Sequence, residues 1–113
     1  MTQRARVEIQ INTTVGGAQN QPAVVGADDS GFMVTWTDGG GLDGSSSGVF
    51  ARFFDATGGA LTGEIGVNAT TDNAQDTPTA ARLANGDIII GWSGYGANGD
   101  RIYTQRFDGD GAR

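Results

Sequence analysis

The sequence predicts an all-β fold, and three observations carry that prediction. The chain repeats itself: the stretch GFMVTWT at 31–37 returns as DIIIGWS at 87–93, placing the only two tryptophans, Trp36 and Trp92, 56 positions apart. Short apolar runs alternate with a period of two, and no window of useful length has the 3.6-residue period of a helix. Glycine is abundant, 20 of 113 residues. It disfavours helix interiors and supplies tight turns.

Sliding the chain by 56 aligns Glu8, Ile9, Asn12, Thr14, Ala18, Gln19, Pro22 and Trp36 with Glu64, Ile65, Asn68, Thr70, Ala74, Gln75, Pro78 and Trp92. After the tryptophan the offset falls to 53, so that Val49, Phe50, Phe54 and Asp55 meet Ile102, Tyr103, Phe107 and Asp108. The second copy is three residues shorter in the intervening loop. One domain, 1–113, is therefore built from two repeats, about 7–62 and 63–113.

Each copy reads as four strands. The first is Val7–Asn12, with Val7, Ile9 and Ile11 on one face; Ile65 and Val67 repeat it. The second runs from Pro22 to Ala27, matched by Pro78–Leu83, and a proline that opens a strand costs the ladder nothing. The third is the quoted run, where Phe32, Val34 and Trp36 alternate with Met33 and Thr35. Ile88, Ile89 and Ile90 are apolar on both faces, as a strand between two layers should be. The fourth is Gly48–Asp55 and Arg101–Asp108. Turn-rich segments such as ADDSG, ANGD, DATGG and DGDG separate them.

Four strands per repeat of about 50 residues is the signature of a β-propeller blade. Two blades do not close a ring of four to eight, and each would leave an apolar face without a neighbour. The expectation is a homo-oligomer closed head to tail, a trimer giving six blades or a tetramer giving eight. A single β-sandwich or barrel, with the repeats packed face to face, is the alternative.

The pattern of INTTVGGAQNQP and VNATTDNAQDTP, then VTWT and IGWS, then GVFARFFDATGG and RIYTQRFDGDGA, resembles the tandem repeats of very large secreted bacterial proteins of the RTX and adhesin type. The resemblance covers nearly the whole chain. It implies an extracellular or cell-surface protein with a binding or scaffolding role.

Composition narrows the chemistry. Cysteine and histidine are both missing, which removes disulfides, Cys/His zinc sites and the commonest general base. The net charge of −6 argues against nucleic acid. No run is long enough for a helical membrane span, and the N-terminus MTQRARVEIQ has no apolar stretch of the kind a signal peptide requires. Asp29 and Trp36 are seven apart and the second copy has Asn85, so the Asp–Trp turn of sialidase-type propellers is not met. No nucleophile motif or phosphate loop occurs, and the chain reads as non-enzymatic.

Recurring residues read as structural: Trp36 and Trp92 as core, Pro22 and Pro78 as strand openers, Asn12, Asn68, Gln19 and Gln75 as loop-closing groups that bond to backbone. Residues that do not recur are better candidates for specificity, because loops carry it on a repeated scaffold. Tyr95 stands in a Gly-rich loop with Asn98 and Asp100 close behind, and an aromatic platform beside polar acceptors suits a sugar ring. Asp38 and Asp43 sit in the matching loop of the first copy. A lectin-like, calcium-assisted glycan binder is the alternative function. For calcium, Asp108 and Asp110 put two carboxylates on one turn. A glycine-assisted hairpin turn is the leading reading of that stretch.

Overall fold

The computed structural model of the chain describes residues 9–12, 19–27, 31–39, 47–68, 75–96 and 99–108. Seven strands follow in order: β1 (Gln19–Gly26), β2 (Phe32–Asp38), β3 (Gly48–Phe54), β4 (Ile65–Gly66), β5 (Gln75–Arg82), β6 (Ile88–Gly96) and β7 (Gly99–Phe107). They make two antiparallel sheets, β1-β2-β3-β4 and β5-β6-β7. There is no helix among the described residues.

Sheets and repeats are out of phase by one strand. β4 belongs to the second repeat in sequence, yet it pairs with β3 of the first, Ile65 opposite Ala51 and Gly66 opposite Phe50. Two further bonds extend this edge. Val67 N–H donates to the Val49 carbonyl at 2.8 Å, and the Asn68 side-chain oxygen accepts from Val49 N–H at 2.8 Å. Asn68 thus closes its loop onto backbone. Of the equivalent first-repeat stretch, Ile9–Asn12 is described, and it is not a strand.

The prolines lie inside their strands, not at the start. β1 and β5 begin three residues earlier than the sequence suggests, and each shifts register around its proline, between Asn20 and Ala23 and between Asp76 and Thr79. A bulge is one of the few places where a strand accepts a residue without an N–H donor. Both are also edge strands of their sheets.

The core lies between the sheets. Directly opposed residues of an antiparallel pair share a face, so the register pairs Val25–Met33, Met33–Phe53, Thr35–Ala51 and Thr37–Val49 define one side of the first sheet. Met33, Val49, Ala51 and Phe53 from that side join Ile88, Ile90, Trp92 and Phe107 of the second sheet in a single buried cluster. Val67, Ile65 and Ala80 complete it. Phe53 and Phe107 meet with ring centroids 6.1 Å apart. Full burial of a side chain of this size contributes about 1.5–3 kcal/mol.

The stacking has a direction. Ile88, Ile90, Trp92 and Phe107 of the second sheet face the first. Their repeat equivalents, Phe32, Val34, Trp36 and Phe54, occupy the opposite side of the first sheet and face away from the second. Trp36 and Trp92 therefore do not meet. Like surfaces would face each other in a two-fold arrangement; here unlike surfaces do.

Candidate functional site

Each tryptophan is fixed by a glutamine 17 residues earlier in sequence. Trp36 Nε1 donates to Gln19 Oε1 at 3.0 Å, and Trp92 Nε1 donates to Gln75 Oε1 at 3.1 Å. Gln19 and Gln75 start β1 and β5, directly across from Asp38 of β2 and Gly94 of β6. They bond the indoles where the sequence suggests backbone. A buried indole needs an acceptor, and the amide supplies it while its own N–H₂ remains available. In the first repeat Gln19 Nε2 passes the chain on, donating to Asp38 Oδ2 at 3.0 Å. Asp38 is 1% exposed at the end of β2, so its carboxylate belongs to this internal network and not to a loop surface. The second repeat has Gly94 at that position. A Cβ on Gly94 would fall 2.6 Å from the Tyr103 ring, which stacks on Trp92 at 6.0 Å.

Next to each clamp the backbone is strained. Gln21 and Thr77 adopt φ of 54° and 56°, the left-handed region that non-glycine residues seldom enter. Both stand immediately before the proline of a bulge. Gln21 Oε1 ties the two bulges together: it accepts from Thr37 Oγ1 of its own sheet at 2.9 Å and, across the sheets, from Thr77 N–H at 3.0 Å. Ser47 and Gln75 add a second link, Gln75 N–H to the Ser47 carbonyl and Ser47 Oγ to the Gln75 carbonyl, both 3.1 Å.

Two surfaces remain at the ends of the stack. On the first sheet, segment 9–12 lies across the outward side. Ile9, Ile11, Asn12, Pro22, Val34 and Trp36 line an open cleft of about 270 Å³. Arg52 reaches over Phe54, 5.4 Å from its ring centroid, and donates to the Ile11 carbonyl at 3.0 Å. Val24 stays 66% exposed beside this cleft. On the second sheet, Ile89, Ile102, Thr104 and Arg106 hold the places of Met33, Val49, Ala51 and Phe53. Ile102 is 76% exposed, while Val49 is completely buried. Arg106 Nε pairs with Asp87 Oδ2 at 2.8 Å on this same side.

Of the residues expected to carry specificity, Tyr95 and Asp100 are strand residues. They are register partners near the end of the β6–β7 hairpin, one step before Gly96 and Gly99. Asn98, Asp43 and Asp110 lie outside the described residues. Asp108 is exposed just after β7, and no group of three or more acidic ligands occurs among the described residues. Nor does any helix there have the length and apolarity to cross a membrane. The sequence suggests apolar faces without a neighbour but does not say which residues form them, although the alternation in RIYTQRF already sets Ile102, Thr104 and Arg106 on a side of their own. Compared with known proteins, the chain matches no family model, no curated protein and no solved structure.

Proposed function

We propose that the chain is a non-enzymatic module that stacks head to tail on further copies of itself into a closed, propeller-like ring and serves as a binding or scaffolding unit. The observation that carries this reading is the direction of the intrachain stack. An interface between unlike surfaces always leaves one of each kind uncovered at the ends. Here that pair is the Val24, Phe32 and Val34 side of the first sheet and the Ile89 and Ile102 side of the second, on which Val24 and Ile102 are exposed among the described residues. A third sheet placed on the second as the second sits on the first would bury both. Three or four chains give six or eight blades, within the range that closes.

The resemblance to secreted repeat proteins supports an extracellular or cell-surface setting. Light scattering tests the assembly. The expected mass is three or four times 11.6 kDa, and a folded species of 11.6 kDa at every concentration overturns it.

A carbohydrate-binding role for the β6–β7 hairpin is a second reading. It draws support from the register that sets Tyr95 opposite Asp100 at the hairpin end. A glycan array tests it: binding should disappear in Tyr95→Ala, and binding that persists there removes the site.

A further inference from the structure

We propose that segment Ile9–Asn12 of one copy is the fourth strand of the preceding copy's second sheet, pairing antiparallel with the outer edge of β7. This rests on the head-to-tail reading and names the seam that it requires.

The chain contains its own template for the seam. Ile65–Asn68 does two things at once: it pairs with β3 of the first sheet, and it packs Ile65 and Val67 against Ile88, Ile90 and Trp92 of the second. Ile9–Asn12 is its repeat equivalent, and the second of these tasks is already done. Ile9 and Ile11 line the cleft with Val34 and Trp36, the counterparts of Ile90 and Trp92. A Cβ on Gly58 would lie 2.6 Å from Ile9 Cδ1, so the segment is seated closely on the turn that follows β3. The first task, pairing with the edge strand of a preceding sheet, has no counterpart for this segment among the described residues.

The complementary edge is β7, which pairs with β6 alone among the described residues. Its hydrogen-bonding direction follows from β3. Val49 and Phe53 both direct N–H and C=O outward, to Val67, Asn68, Leu61 and Thr62. Alternate residues of a strand point the same way, so Ile102, Thr104 and Arg106 present the equivalent groups at the β7 edge. Transferring the β3–β4 register sets Ile9 opposite Thr104 and Gln10 opposite Tyr103. Ile11 N–H then donates to the Ile102 carbonyl, as Val67 N–H does to Val49. Ile102, 76% exposed, would be covered as Val49 is.

The occupant is a second copy because the same chain cannot reach. The segment lies beyond the far side of the first sheet, and stacked sheets are about 10 Å apart. About two such spacings separate it from β7 of its own chain.

Three measurements on the full chain decide the matter. Wild-type mass comes first: a monomer throughout removes the head-to-tail reading and the strand donation with it. Given an oligomer, Thr104→Pro removes one outward N–H from an edge strand, a change such edges tolerate. The expected result is loss of the assembled species with the β-sheet circular dichroism retained. A folded Thr104→Pro oligomer of wild-type mass overturns strand donation and leaves head-to-tail stacking standing. Should that variant not fold, Ile9→Cys/Thr104→Cys decides, since the chain has no other cysteine. Opposed positions of an antiparallel pair fall within disulfide range. Mild oxidation should join copies covalently; an oligomer that forms no bond between copies overturns the proposal.

Discussion

The two sheets are built from the same repeat but live in different surroundings, and position by position the difference tracks what each side faces. Where the first sheet meets the second, it offers Met33, Val49, Ala51 and Phe53, all buried. The equivalent side of the second sheet carries Ile89, Ile102, Thr104 and Arg106. Half of the apolar contact surface has become polar, and an ion pair has been added. The opposite sides diverge less: Phe32, Val34, Trp36 and Phe54 against Ile88, Ile90, Trp92 and Phe107. The seam inside the chain is a buried core; in the ring proposed above, a seam between copies would bury a more polar surface on the second sheet's side.

The largest test of this contrast compares Phe53→Ala with Arg106→Ala. Phe53 is 1% exposed against Phe107, so truncation should cost about 3–5 kcal/mol, a large share of a domain's total stability. Arg106 makes a surface ion pair, and its truncation should stay within about 0.5 kcal/mol. Denaturant unfolding of both variants measures the gap; equal losses would erase the distinction between the two sides.

The glutamine clamps give a middle-sized effect. Gln75→Ala leaves the Trp92 indole N–H buried without its acceptor and should cost about 1–3 kcal/mol. Gln19→Ala affects a partly buried pair, where water can substitute, and should cost less in thermal unfolding. Self-association would raise the cost of Gln19→Ala toward that of Gln75→Ala as protein concentration increases.

The smallest effect is at the turn after β3. Asp55 Oδ1 accepts from Thr57 Oγ1 at 2.7 Å and from the backbone N–H groups of Thr57 and Gly59, both at 2.9 Å. These bonds, the Thr57 side chain first, hold its carboxyl below the ordinary value of 3.8. The charged form is favoured by folding, so its contribution is present above pH 3.8 and is lost as the pH falls through the lower folded-state value. The difference in melting temperature between wild type and Asp55→Asn should therefore narrow in acid below pH 3.8. A difference that is constant with pH would mean that the turn does not depend on this charge.

Much of the architecture was legible because β alternation is a local signal. β2 and β6 were marked by the spacing of Phe32, Val34 and Trp36 and by their echo. Four features were not legible, each for a non-local reason. Pro22 and Pro78 look like strand openers until the bulges that accommodate them are known, and a bulge depends on the partner strand. Asp38 reads as a loop acid, since its burial is made possible by Gln19, 19 residues away. Tyr95 reads as a loop residue because glycines flank it, yet β6 extends through Gly96 on the ladder that β7 provides. Segment 65–66 was legible as a strand, but its attachment to the preceding repeat's sheet was not, because a two-residue ladder has no periodicity.

The one-strand phase shift between repeat and sheet has a genetic consequence. If a gene gains whole units in frame, each added unit would lend its first strand to the sheet before it, as Ile65–Gly66 is lent to β3. A junction made that way repeats the one already present between the two units, so duplication would lengthen such a protein without new compensating substitutions there.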